Sequence, residues 1–71
     1  ISAIDGLAAA AAHELGTPLA TIALVVRELE RAMPENSPHG ADIKLLRQQT
    51  ERCRTILRPL TSLESGLAPF D

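Results

Sequence analysis

The sequence contains few aromatic and sulfur-containing residues. It has 71 residues, with one aromatic side chain, Phe70, no tryptophan or tyrosine, and one cysteine, Cys53. A single cysteine excludes an internal disulfide, and no cluster of cysteine and histidine indicates a structural metal site. A chain this short without either device buries little apolar surface, so we expect association with another chain to complete its core.

Neither sign of charge dominates the sequence. Seven basic and nine acidic residues give a formal net charge of −2. This balance argues against a nucleic-acid partner and against direct contact with a membrane surface. No uninterrupted apolar run approaches the ~20 residues that span a bilayer, and a lone cysteine is typical of a reducing compartment.

Small and aliphatic residues make up most of the hydrophobic 45% of the chain, and they recur with helical spacing. Steps of four and three residues connect Ile4, Ala8, Ala11, Leu15, Pro18, Ile22, Val25, Leu29 and Ala32. A flanking row widens this stripe and consists of Leu7, Leu19, Val26 and Met33. The pattern predicts a helix over residues 2–33 that packs in a bundle.

A turn and a second helix follow. Prolines, asparagine, serine and glycine between residues 34 and 41 predict a loop. A second helix is predicted over residues 42–65, ended by Gly66 and Pro69. Its apolar stripe consists of Ile43, Leu46, Cys53, Ile56, Leu57, Leu60 and Leu63, with Gln49 or Thr50 between.

Two long helices with a short connection form an antiparallel hairpin. A single hairpin leaves part of each apolar stripe exposed to solvent, and two hairpins together bury both stripes. The pattern therefore predicts an all-α domain over residues 1–71 that dimerises into a four-helix bundle. A purely structural dimerisation module would explain these stripes without any chemistry, and it remains the alternative function.

One histidine in the first helix lies away from the apolar stripe. At 100° per residue, His13 points about 170° from the mean direction of the stripe, which predicts full exposure. An isolated histidine is usually an ordinary surface or core residue. Here Glu14 is adjacent, and Gly16 and Pro18 weaken the helix just after it. An imidazole beside a carboxylate is a competent nucleophile toward phosphorus.

Residues 13–19 read His-Glu-Leu-Gly-Thr-Pro-Leu, which resembles the H-box of sensor histidine kinases of the His-kinase A type. Glycine at the fourth place looks like the redox-responsive RegB/PrrB/ActS group. The resemblance implies that His13 is the phosphoacceptor, that Glu14 is the general base and that Thr17 positions water in a phosphatase reaction.

The same resemblance implies the partners and the location of the domain. The partners are a second copy of the chain, a kinase catalytic domain and the receiver domain of a response regulator. The sequence has no glycine-rich ATP site, so we expect ATP and Mg²⁺ to be bound by that catalytic domain and the chain alone not to autophosphorylate. The implied parent is a bacterial inner-membrane sensor, with this domain in the cytoplasm.

Further positions follow from helix geometry and from the resemblance. Ala20, Leu24 and Arg27 project on the His13 side, where Leu24 is either a stray surface leucine or part of a docking patch. From its spacing alone Cys53 is a small buried hydrophobe; the resemblance makes it redox-active, with Arg52 and Arg54 beside it favouring the thiolate.

A turn centred near residue 37 would place Cys53 level with Thr21, about 12 Å from His13 along the axis. The same turn would place Pro59 level with Leu15. Because Pro18 lies close by in the first helix, both helices would carry a proline near the histidine. We interpret Pro18 and Pro59 as a paired hinge.

Overall fold

A computed structural model describes residues 3–65 of the chain, with side chains for residues 3–61. This part consists of two helices and contains no strand: α1 is Ala3–Ala32 and α2 is Gly40–Ser65. The two helices pack along each other, which confirms the predicted all-α hairpin. Gly66 and Pro69 and the side chain of Leu63 lie outside the described part.

Local sequence explains where the helices stop and start. The backbone amide of Met33 still bonds to the Leu29 carbonyl at 3.0 Å, and Pro34 cannot continue the helix. In α2 the first helical bond runs from the Ile43 amide to the His39 carbonyl at 3.0 Å. In the loop just before it, the Ser37 hydroxyl accepts a hydrogen bond from the His39 amide at 3.1 Å. Helix α2 begins at Gly40, two residues before the predicted start.

Two ion pairs fix the antiparallel register. Arg27 Nη2 lies 3.5 Å from Glu51 Oε1, and Arg47 Nε lies 2.9 Å from Glu30 Oε1. Counting twelve residues outward from the second pair places Pro59 level with Pro18. The prediction that Pro59 is level with Leu15 is wrong, because the turn is centred after residue 37.

The hairpin has a thin core. Its buried side chains are small or medium in size: Ala9, Ala12, Ala23, Val26, Ile43 and Thr50. Within the described residues, no large side chain is fully buried. The one polar member is satisfied, since the Thr50 hydroxyl donates to the Leu46 carbonyl at 2.7 Å. One hairpin therefore has little core with which to stabilise itself.

Much of the apolar stripe faces outward. The flanking row of α1, with Leu19, Val26 and Met33, is the row that turns toward α2. Six large side chains, four from the other row and two from α2, remain 42–58% exposed, and we call them the apolar face: Leu15, Ile22, Val25, Leu29, Leu46 and Ile56. The predicted stripe thus divides into an inner row that packs within the hairpin and an outer row whose large side chains stay about half exposed.

Helix α1 as a whole is more apolar than its separate runs indicated. Among the described residues it is the one helix long and apolar enough, by length and composition alone, to cross a membrane. Alanine, leucine, isoleucine and valine raise its mean hydropathy without forming a long continuous apolar run. Core helices of soluble bundles have the same property, so this feature is weak support for a membrane span.

Candidate functional site

His13 lies in the first half of α1 and is exposed. No hydrogen bond or ion pair joins it to another residue of the described part. It lines an open groove with Thr17 and Thr21 of its own helix and with Thr61 of α2. The prediction that His13 is exposed is confirmed. The predicted angle of about 170° between His13 and the packed side of α1 is too large. The row that packs against α2 is about 100° from His13 around α1, because the sequence average mixed the inner and outer rows.

Glu14 is also exposed and lies about 100° further around the helix. It makes no hydrogen bond to His13, and no ion pair with another described residue holds its carboxylate. The two side chains therefore do not form a preassembled pair in the hairpin. Both are accessible to a third group that approaches this side of α1.

Thr17 follows His13 by one helical turn and is exposed. Its carbonyl accepts a hydrogen bond from the Thr21 hydroxyl at 3.3 Å. The hydroxyl of Thr17 itself has no partner in the described part, so it is available to bind a ligand or water. The structure thus places His13 and Thr17 on one groove, as helical spacing predicted.

Both helices continue through their prolines. Pro18 has no amide hydrogen to donate to the carbonyl four residues earlier. In each helix a threonine hydroxyl bonds to the carbonyl of the residue just before the proline: Thr21 to Thr17 at 3.3 Å, and Thr61 to Arg58 at 2.8 Å. Such bonds favour helix bending, and the two prolines are level with each other, but the hinge itself stays a prediction.

The predicted docking residues share the His13 side of the hairpin. Ala20, Leu24 and Arg27 are exposed, Leu24 by 59%, and together with Ala23 and Arg54 they line a groove between the helices. Glu51 links the two arginines, because its Oε1 atom lies 3.5 Å from Arg27 and 3.3 Å from Arg54. The sequence predicted exposure of these residues; their docking role stays a prediction.

Sequence reasoning missed the contribution of α2 to this side. Arg54, Arg58 and Thr61 line the groove opposite α1, next to Ala12 and Gly16. The spacing of polar residues along α2 indicates this side of the helix. To place that side next to α1, however, one needs the register between the two helices. Ion pairs between residues far apart in the sequence show that register. The periodicity of a single helix carries no information about it.

Cys53 is exposed, so the interpretation of a buried hydrophobe is wrong for the hairpin. It follows Leu46 by two helical turns, on the apolar face. The register places it level with Leu24 or Val25 instead of Thr21, roughly 17 Å from His13 along the axis. It is therefore separate from the His13 groove.

The described residues contain no group of three or more histidine, cysteine, aspartate or glutamate side chains that could hold a metal ion. What the site offers is one exposed imidazole, one adjacent carboxylate and three hydroxyl groups along an open groove. These groups are sufficient for a residue that receives a chemical group from a separate donor. They also leave room for a large partner, since the groove is open to solvent.

Comparison with known proteins gives a consistent result. The family model of the His Kinase A (phospho-acceptor) domain matches residues 3–66. The sensor histidine kinase RegB of Cereibacter sphaeroides is 53% identical over 57 residues, which are 80% of this chain and 12% of that protein. A second RegB sequence from Cereibacter sphaeroides is 51% identical over 57 residues, with the same coverage.

The chain thus spans 12% of the length of these relatives. No solved structure matches it. The family match covers all the described residues, includes His13 and agrees with the two-helix fold. The chain therefore belongs to the His Kinase A (phospho-acceptor) domain family and is similar to RegB in that family.

Proposed function

We propose that this chain is the dimerisation and phosphoacceptor domain of a two-component sensor histidine kinase, with His13 as the phosphorylated residue. The observation that carries the proposal is the position of His13 within the family match. It is the first residue of the motif and lies exposed on an open groove, with no described residue bonded to it. A structural helix has no need of that arrangement.

In the proposed reaction an imidazole nitrogen of His13 attacks the γ-phosphorus of ATP. A nitrogen–phosphorus bond forms, and the bond from phosphorus to the β-phosphate oxygen breaks as ADP leaves. Glu14 is the general base that receives the imidazole proton. Its carboxylate is exposed and unpaired within the described part, so it can rotate toward the ring when the donor approaches.

ATP and Mg²⁺ are assigned to a separate catalytic domain that delivers the phosphoryl group to the groove. The isolated chain is then a substrate of that domain and does not autophosphorylate alone. The parent protein is a sensor of the inner membrane, with this domain on the cytoplasmic side. The similarity to RegB supports a sensor kinase of this kind.

The next step passes the phosphoryl group to an aspartate of a response-regulator receiver domain. Ala20, Leu24 and Arg27 form the docking surface, because they lie exposed on the His13 side and Ala20 permits close approach. In the reverse direction Thr17 orients a water molecule for hydrolysis of the phosphoaspartate. Its free hydroxyl lies one turn from His13 on the same groove.

Dimerisation of two hairpins through the apolar face completes the core. The face carries six large apolar side chains that are 42–58% exposed in one hairpin. Burial of these side chains in a four-helix bundle removes them from water. Cys53 lies on the same face and is accessible in a single hairpin, so oxidation of its thiol acts through the dimer contact. This is the proposed redox control.

The test is phosphoryl transfer from ATP to this chain, with a separately supplied catalytic domain of a RegB-like kinase. We expect acid-labile, base-stable label on the wild type and none on His13→Gln. The matched control is His39→Gln, since His39 is the other histidine and lies exposed in the loop before α2; it should label normally.

Failure to label a dimeric wild-type chain would favour the purely structural dimerisation module. That conclusion requires that the supplied catalytic domain phosphorylates another acceptor in the same assay. Label that persists in His13→Gln would place the phosphoacceptor elsewhere.

A further inference from the structure

Glu28 of α1 and Arg52 of α2 are oppositely charged residues that have no ion pair within the described part of the chain. Both are exposed, and no hydrogen bond joins either side chain to another described residue. Their charged neighbours are different, because these pair with one another within the hairpin: Arg27, Glu30, Arg47, Glu51 and Arg54. Glu28 and Arg52 are therefore available to a group outside the hairpin.

Both residues border the apolar face. Glu28 directly precedes Leu29, and Arg52 lies four residues before Ile56. Around α1, Glu28 is about 160° from Val26, and around α2, Arg52 is about 160° from Thr50. Because Val26 and Thr50 are buried within the hairpin, Glu28 and Arg52 lie at the far edges of the apolar face. We call these the outer edges.

We propose that Glu28 of one chain forms an ion pair with Arg52 of a second copy, and that the two equivalent pairs of the dimer determine how the hairpins align. This inference rests on the proposed function, because it requires association through the apolar face. A two-fold axis along the bundle puts both loops at the same end and places α1 of each hairpin beside α2 of the other. The outer edges of α1 and α2 then meet at the surface of the bundle.

The heights of the two residues along the bundle are close. The ion pair between Glu30 and Arg47 shows the register within a hairpin. Counting five residues outward from it places Arg52 level with Val25. A two-fold axis along the bundle keeps these heights in the second copy, so Glu28 and Arg52 are offset by three residues, or about 4.5 Å. The long side chains of glutamate and arginine can span that offset.

Charge favours this alignment over the one with the loops at opposite ends. Steps of seven residues along the outer edge of α1 connect Glu14, Thr21 and Glu28, so this stretch of the edge has no basic residue. If the loops were at opposite ends, α1 would lie beside α1 and α2 beside α2, and edges of like charge would face each other. Charges at the edges of helix contacts set partner choice and orientation. The two edges therefore select a second copy of this chain with its loop at the same end.

The test exchanges the two charges in the whole chain. In a homodimer, Glu28→Arg places arginine opposite arginine twice, and Arg52→Glu places glutamate opposite glutamate twice. Each variant should weaken self-association about tenfold to thirtyfold, measured by sedimentation equilibrium at low salt. The chain that carries both substitutions restores both pairs and should dimerise with a Kd within about threefold of the wild type.

Mixing the two single variants gives a sharper test. In a heterodimer, the arginine introduced at position 28 meets the glutamate introduced at position 52, and the native Glu28 and Arg52 meet each other. The mixture should therefore associate with a Kd within about threefold of the wild type. Native mass spectrometry should show the heterodimer as the main dimer.

Lys44→Glu is the matched control. It gives the chain the same formal net charge as Arg52→Glu. Lys44 is exposed on α2 and lies two residues before Leu46, which is about 160° away around the helix, so it faces away from the apolar face. Lys44→Glu should dimerise as the wild type does, and its mixture with Glu28→Arg should show no preference for the heterodimer beyond random pairing.

The possible outcomes separate the ion pair from the proposed function. Wild-type self-association in Glu28→Arg or in Arg52→Glu would overturn the ion pair and leave the proposed dimer intact. Loss in both single variants without recovery in their mixture would also overturn it, as would an equal heterodimer preference with Lys44→Glu. A monomeric wild-type chain would overturn the ion pair together with the proposed dimerisation, whereas labelling of His13 tests the phosphoacceptor role separately.

Discussion

Replacing Ile22 by alanine should weaken self-association of the chain about tenfold to thirtyfold. Ile22 lies on the apolar face and is 46% exposed in one hairpin. Full burial of an isoleucine side chain stabilises by about 1.5–3 kcal/mol, so covering the exposed part contributes about 1 kcal/mol. A symmetric dimer contains two copies, which gives about 2 kcal/mol, and each 1.4 kcal/mol is a factor of ten in Kd.

The assay is sedimentation equilibrium over a concentration series, with helix content measured in parallel by circular dichroism. Leu24→Ala is the matched control, because Leu24 is 59% exposed on the same helix but lies on the His13 side. It should leave the dimer unchanged. If Leu24→Ala weakened the dimer as much as Ile22→Ala, the assignment of the two sides of the hairpin would be refuted.

Three further predictions follow from the site and its surroundings. Thr17→Ala should keep phosphorylation of His13 and slow hydrolysis of the receiver phosphoaspartate about a hundredfold, measured by phosphate release; equal rates would remove Thr17 from that reaction. Mild oxidation with diamide should link two chains through Cys53, since the thiol is exposed on the apolar face. On a non-reducing gel the covalent dimer should be absent for Cys53→Ala. Persistence of the dimer in that variant would show that Cys53 does not form the link. Pro59→Ala restores a backbone donor to the Thr55 carbonyl and should shift the ratio of kinase to phosphatase activity in the intact sensor, whereas an unchanged ratio would count against the hinge.

The hairpin could be predicted from the sequence because the patterns that specify each helix and the loop lie within those segments themselves. Alternating steps of three and four residues predicted both helices, and the proline-rich segment predicted the loop between them. The start of α2 was placed two residues late, since the His39 carbonyl already accepts the first helical bond, from the Ile43 amide. A backbone bond of this kind is not visible in hydrophobic spacing.

The outward position of His13 was predictable for the same reason, but its surroundings were not. Ala12 and Ala23, which belong to neither predicted row, are buried in the hairpin, whereas Ile22 of the longer row is 46% exposed. Averaging all apolar positions merged these rows and pointed His13 too far from α2. The levels of Cys53 and Pro59 depended on the register between the helices, which the Arg27–Glu51 and Arg47–Glu30 pairs show.

The most direct test of the central claim is to locate the phosphoryl group within the wild-type chain after incubation with ATP and a RegB-like catalytic domain. Peptide mass spectrometry under alkaline conditions preserves a phosphorus–nitrogen bond and distinguishes the two histidines. The account predicts a single modified residue, His13, whose label is lost when an accepting receiver domain is added. Label on His39, or on a serine or threonine hydroxyl with His13 unmodified, would contradict it.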